Sequence, residues 1–176
     1  ASTANSNTIH ILLMIGAVCG LWAHVSEIVL CCLCLSVQLF PGSTVLSPVS
    51  PATLSLFTPL VVAAVPALAA GRRCCLLFRS SRDGATAAAF HSRCDAKGPT
   101  LTLIRDMDSN VFGGYAAVEW DNTSGYVNDH AAFLFTVVNP HADPPALFPS
   151  KADGRSIVCD SSKGPWFYDL CVSGAF

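Results

Sequence analysis

The sequence predicts an α+β fold, mainly an antiparallel β-sandwich with peripheral helices, with an apolar N-terminal segment outside the domain. Three observations predict it. After residue 73 the chain reads as short apolar runs broken by turn residues, only one stretch there keeps a helical period, and the charges divide the chain into two materials. All ten Lys and Arg lie at or after Arg72, and of twelve acidic residues only Glu27 precedes Asp83. This places an apolar segment with a single charge over residues 1–71 and a polar domain over 74–176. At 176 residues one domain plus an appendage is expected. A net charge of −2 supplies no basic face to neutralise phosphates, so no nucleic-acid partner is expected.

The N-terminal segment holds two candidate membrane-associated stretches. The first, 9–40, carries Glu27 as its only charge and exceeds the ~20 apolar residues of a spanning helix, though His24, Ser26 and Glu27 interrupt it. The second, 54–70, ends before Arg72 and Arg73, which would keep the polar domain on the cytoplasmic side, and is weakened as a helix by Pro59 and Pro66. A Pro/Ser linker lies between them. The alternative is that 1–71 is a mis-joined piece of coding sequence with no function of its own.

Within the domain, "CCLLFRS" from Cys74 reads as an entering strand and "SRDG" as the turn that breaks it. Ala87, Phe90, His91 and Cys94 recur at i, i+3, i+4 and i+7, one face of a helix that Asp83 or Thr86 caps and "DAKGP" ends. "TLTLIRD" from Thr100 and "VFGGYAAVEW" from Val111 form a hairpin across "MDSN". Gly113 and Gly114 inside its second strand mark a bulge or the close approach of another backbone. "DNTSG" is a loop. "AAFLFTVVN" from Ala131 is apolar on both faces and reads as a central strand. "PHADPPALFP" is a Pro-rich connection, and "SIVCD" and "FYDLCVS" are short strands.

The ordered series "SRDG" (Ser81, Arg82, Asp83, Gly84), "FHSRCD" (Phe90, His91, Cys94, Asp95), "GPTLTLI" (Gly98, Pro99, Thr100) and "NVFGGY" (Phe112, Gly113, Gly114, Tyr115) continues through Trp120. It ends with "FLF" (Phe133, Phe135), "GP" (Gly164, Pro165) and "DLCVS" (Asp169, Leu170). Over residues 74–173 this series resembles the TLDc domain of the oxidation-resistance proteins and of protist TLD proteins. The resemblance implies a sandwich flanked by helices with no catalytic site, associated with resistance to oxidative stress. It also implies a protein partner, the cytosolic sector of the vacuolar proton-pumping ATPase (V-ATPase). "GPWFYDL" is shorter and bulkier than the family's pattern. The resemblance also implies closing strands after "DLCVS", so the domain is expected to be C-terminally truncated.

Chemical readings of the same residues are weaker than structural ones. His91 and Cys94 with Cys74 and Cys75 would suit zinc, but no two C-x-x-C knuckles accompany them, so no metal or cofactor is expected. A Cys94–His91 nucleophile pair meets on a helix face but lacks an oxyanion hole and an orienting third group, so no catalytic residue is expected. The alternatives to a non-enzymatic interaction domain are a thiol-dependent peroxide scavenger using Cys94, and a membrane-anchored recognition domain with an unrelated ligand. Nine irregularly spaced cysteines argue for a reducing compartment and a cytoplasmic domain, with or without a membrane anchor.

Overall fold

The computed structural model describes residues 25–34, 43–123, 125–150, 155–168 and 170–173. Ten strands occur among them: β1 Val25–Cys34, β2 Arg73–Arg79, β3 Thr100–Asp106, β4 Val111–Ala116, β5 Gly125–Val127, β6 Phe133–Val138, β7 Ala146–Pro149, β8 Ile157–Cys159, β9 Lys163–Phe167 and β10 Leu170–Ser173. The helical pieces are α1 Pro51–Ala64, α2 Pro66–Ala69, α3 Ser80–Asp83 and α4 Ala87–Cys94. The strands form a six-stranded sheet, β2-β1-β3-β4-β6-β7, and a four-stranded sheet, β10-β9-β8-β5, antiparallel at every pairing. The expected class, mostly antiparallel β with a few short helices, is the observed one.

Alternation along the strands gives the larger sheet two apolar faces. Leu101 and Leu103 of β3, Val111 and Tyr115 of β4, and Phe133, Phe135 and Val137 of β6 pack with Phe57 and Val61 of α1. Ile104, Phe112 and Ala116 point the other way and meet Ile157, Cys159, Phe167 and Leu170 of the smaller sheet, with Phe90 and Cys94 of α4 closing the side. The larger sheet is thus the middle layer, with a helix on one face and a second sheet on the other. The glycine pair of β4 resolves as close approach. A Cβ on Gly113 would lie 1.9 Å from the Thr102 carbonyl oxygen of β3, and one on Gly114 would lie 2.6 Å from the Phe167 ring of the smaller sheet. β4 therefore sits in both cores only because it lacks two side chains.

The charge boundary near Gly71 is not the boundary of the folded unit. Val25–Cys34 pairs with β2 on one side and β3 on the other. A segment nearly without charge can fill that slot because its N–H and C=O groups find partners on both flanking strands. Residues 54–70 are not one span either. Val65, extended at φ −107 and ψ 105, separates α1 from α2, and Pro66 starts the second piece. Among the described residues no helix is long and apolar enough to cross a membrane. The remainder of the 9–40 stretch lies outside the described residues.

Smaller differences share a physical cause, the capture of short segments by a neighbouring edge. The Pro-rich connection contains β7, which pairs with β6 because Pro149 falls at the end of an edge strand. The loop after Trp120 leads into β5, paired with β8. "FYDLCVS" is split by Tyr168, Phe167 closing β9 and Leu170 opening β10.

Candidate functional site

The chemically dense stretch from Arg79 to Asp95 builds a helix–turn–helix that fastens β2 to the smaller sheet. α3 is a single turn, and Gly84 at φ +96 ends it in a conformation that side chains disfavour. Thr86, not Asp83, caps α4: its hydroxyl accepts the Ala89 N–H at 3.2 Å.

Asp83 instead anchors the turn. Its side chain is 2% exposed and accepts the Arg79 N–H at 2.9 Å, the Arg82 Nε at 2.8 Å and Nη2 at 2.6 Å, while Arg93 Nη2 lies 3.1 Å away. The Arg82 hydrogen bond, opposed by desolvation and aided by the Arg79 N–H and the Arg93 charge, holds this carboxyl below the usual carboxylate range. Arg82 also donates to the Leu77 carbonyl at 3.1 Å. Strand, turn and helix are thus joined through one buried carboxylate.

His91 joins α4 to the β8–β9 turn. Its Nε2 lies 2.9 Å from the Asp160 carbonyl oxygen and 3.0 Å from that of Lys163, and its Nδ1 lies 2.7 Å from the Asp95 carboxylate. A carbonyl only accepts, so Nε2 carries a hydrogen. Both ring nitrogens are engaged away from Cys94, whose side chain is fully buried with Phe78, Phe90 and Trp120. The pair therefore lacks the thiol–imidazole contact that activates a nucleophile, and the sulfur is out of reach of an oxidant. The scavenger reading of Cys94 finds no support in this arrangement. Cys159, in the same core, is pushed up to about 11 by burial and stays a neutral thiol. Cys74 lies in the core on the opposite face of the larger sheet, so the four residues of the zinc reading are not brought together. Among the described residues no group of His, Cys, Asp and Glu is placed to hold a metal ion.

The other landmarks are structural in position. Phe90 contacts Phe78 at 5.9 Å and Trp120 at 5.7 Å edge-on, and Trp120 contacts Phe167 at 5.6 Å. Each such contact adds about 0.5–1.5 kcal/mol to burial. The indole N–H donates to Thr100 Oγ1 at 2.8 Å. A Cβ on Gly98 would touch Glu119, and the Gly98–Pro99 bond is cis. Tyr115 stacks on Phe133 at 5.1 Å, and Phe135 meets Phe57 of α1 at 5.2 Å. Gly164, Pro165 and Leu170 are buried, whereas Asp169 lies outside the described residues. Ser81 and Arg82 are the landmarks that face solvent on α3.

Two features escaped sequence reading. Asp129 is buried and accepts the N–H groups of Ala117 at 2.6 Å, Val118 at 3.1 Å and Ala131 at 3.1 Å, tying the exit of β4 to the entry of β6. In "GYVND" it resembled any turn aspartate. On the surface, Tyr126 of β5 and Tyr168 after β9 are 57% and 39% exposed with rings 6.2 Å apart, and the Arg155 guanidinium lies 5.8 Å from each. No motif links residues that far apart in sequence; the pairing of β5 with β8 and of β8 with β9 assembles them.

A β-rich sandwich with a buried carboxylate at "SRDG", a stapled "FHSRCD" helix and a glycine pair between two cores sets the geometry against which relatives can be compared. The sequence profile of the TLDc domain matches residues 43–167. The chain belongs to the TLDc domain family. The matched range takes in α1 and α2, in keeping with their packing against β3, β4 and β6. The chain is also similar to MTOR-associated protein MEAK7 of several vertebrates. Identity is 32% over 65 residues to the Homo sapiens protein, 37% of this chain and 14% of that one. It is 32% over 62 residues to the Mus musculus protein, 35% and 14%. To the Xenopus laevis protein it is 32% over 68 residues, 39% and 15%. The aligned TLDc stretch therefore spans about a seventh of each relative's length.

Proposed function

We propose that this TLDc domain is a non-enzymatic interaction module that acts through a protein partner, in a cytoplasmic setting and in resistance to oxidative stress. The observation that carries the reading is that its reactive side chains serve as internal fasteners. Asp83, His91, Cys94 and Cys159 are each committed to a turn, a staple or a core. What it offers outward is of a different kind. Tyrosine and arginine are enriched where proteins meet, and the Tyr126–Arg155–Tyr168 cluster presents both on one face. We assign that cluster as the contact surface. The relatives' description as MTOR-associated supports a partner-binding role, and the V-ATPase cytosolic sector is the partner to test first.

Immobilised full-length chain is expected to retain that sector, and Tyr126→Ala with Tyr168→Ala is expected to lower retention at least tenfold at unchanged thermal stability. Failure of the folded chain to retain it would remove that partner. Measurable peroxide turnover by the purified chain would overturn the non-enzymatic reading.

A further inference from the structure

Asp83 carries a single negative charge, yet two arginines are paired with it. Arg82 reaches Oδ2 with Nη2 at 2.6 Å and Oδ1 with Nε at 2.8 Å, and Arg93 Nη2 lies 3.1 Å from Oδ1. Among the described residues neither arginine pairs with any other carboxylate, and Asp95, close to Arg93 in sequence, is taken by His91 at 2.7 Å. One positive charge is therefore left over where α3 and α4 meet. The two arginine side chains are 45% and 48% exposed while that of Asp83 is 2% exposed, so the surplus charge is at the surface and its support is inside. Arg82 spends Nε on Asp83, and Nη2 on Asp83 and the Leu77 carbonyl, which leaves its Nη1 hydrogens unspent among the described residues. The Nε and Nη1 of Arg93 are unspent there too.

We propose that Arg82 and Arg93 form a receptor for the phosphate of a phosphorylated serine or threonine on a partner protein. Two features choose this occupant. The first is the form of the donors. A carboxylate is planar and is matched by a single guanidinium fork, but the fork of Arg82 is already closed on Asp83. What remains are donors from two separate guanidiniums, which suit an anion with three acceptor oxygens and nearly two charges. Asp83 holds both guanidiniums before a ligand arrives, so less side-chain freedom is lost on binding. The second feature is the ground around the pair. Apart from the arginines, the exposed residues from Ser81 to Arg93 are Ser81, Gly84, Thr86, Ala88 and Ser92. These are small enough for another chain to lie close, and none is a large apolar side chain that would enter a bilayer, which disfavours a lipid headgroup. The proposal rests on the partner-binding reading only in that a protein carries the ligand. Its residues are not those of the tyrosine–arginine cluster, so either surface can fail without the other.

Fluorescence anisotropy of a labelled alanine–glycine peptide carrying one phosphoserine, titrated with the full chain, tests it. The phosphopeptide is expected to bind about tenfold more tightly than the same peptide with serine or glutamate in that place. Arg93→Ala should lower the affinity about tenfold, and Arg93→Lys, which keeps the charge without the fork, about threefold. Asp83 keeps Arg82 and the Arg79 N–H in the alanine variant, so it is expected to melt within about 3 °C of the wild type, which separates lost binding from lost fold. Arg72→Ala, which removes a positive charge before β2 rather than after it, should leave binding unchanged. Absent binding, equal binding of the phosphoserine and glutamate peptides, or indifference to Arg93→Ala would overturn the proposal. So would inorganic phosphate competing as strongly as the unlabelled phosphopeptide, which would assign the pair to a free anion. Sedimentation of the chain with vesicles containing phosphatidylinositol phosphate, while the peptide stays unbound, would overturn it in favour of lipid.

Discussion

Asp83 shows how one side chain converts a reactive-looking motif into a fastener. Its carboxyl titrates below the usual range in the fold, so its contribution is fully present above the unfolded value of about 3.9 and is lost as pH falls through the lower folded value. Asp83→Asn is expected to cost about 2 kcal/mol at pH 7, because the Arg79 N–H and two guanidinium groups lose a charged acceptor. In denaturant titrations that gap should close as pH falls below about 4; a gap that persists unchanged in acid would show that the charge is irrelevant. The cysteines obey the same logic of burial. Peptide-resolved iodoacetamide labelling of native protein at about pH 8 should modify half-buried Cys75 while leaving Cys74, Cys94 and Cys159 unmodified until denaturant is added. Sequence showed these residues to be candidates for chemistry, but the difference between a thiol in a core and one at a surface is a distance to solvent, which spacing does not encode.

Strand β4 is the element on which both cores depend. Gly113 and Gly114 were visible in sequence as a departure from strand composition, and the close approach they permit was one of two readings open there. The Thr102 carbonyl and the Phe167 ring decide it, since both come from other strands. Gly113→Ala is expected to lower stability by about 1–3 kcal/mol or to abolish soluble expression, because rigid backbone at 1.9 Å cannot move aside. Thr102 of the adjoining strand has the opposite effect. Its hydroxyl is buried without a partner, so Thr102→Val should leave stability unchanged or raise it by about 1 kcal/mol, read from the thermal midpoint. The helix of 87–94 was legible because its period and its end signals agree locally, whereas β5 and β7 were not, because three- and four-residue strands exist only through β8 and β6.

The whole molecule is a three-layer structure whose middle sheet is threaded by the segment that composition sets apart. β1 separates β2 from β3, and Phe57 and Val61 of α1 cover the sheet. A chain shortened to residues 72–176 would expose a row of unpaired β3 backbone groups and an apolar sheet face, so it should lose cooperative unfolding and aggregate. Near-UV circular dichroism of that fragment with a native-like signal and a sharp melt would contradict this. Charge patterning is an unreliable guide to domain edges in such a fold, because a buried central strand and a core-facing helix have no use for charge.

Local order along the chain was enough to specify the class, the family series from "SRDG" to "DLCVS", the capped helix, the β3–β4 hairpin and the two apolar faces of β6. These properties are written in periods of two or 3.6 and in turn residues, so a few neighbouring positions suffice to express them. Only long-range contacts establish that β1 belongs to the sheet, that Cys94 is sealed and His91 engaged, and that Asp129 is a buried acceptor. The same contacts assemble Tyr126, Arg155 and Tyr168 on one face. Each of these depends on which distant segment lies alongside, and that pairing is set by how all the apolar faces are buried at once rather than by any stretch of residues alone.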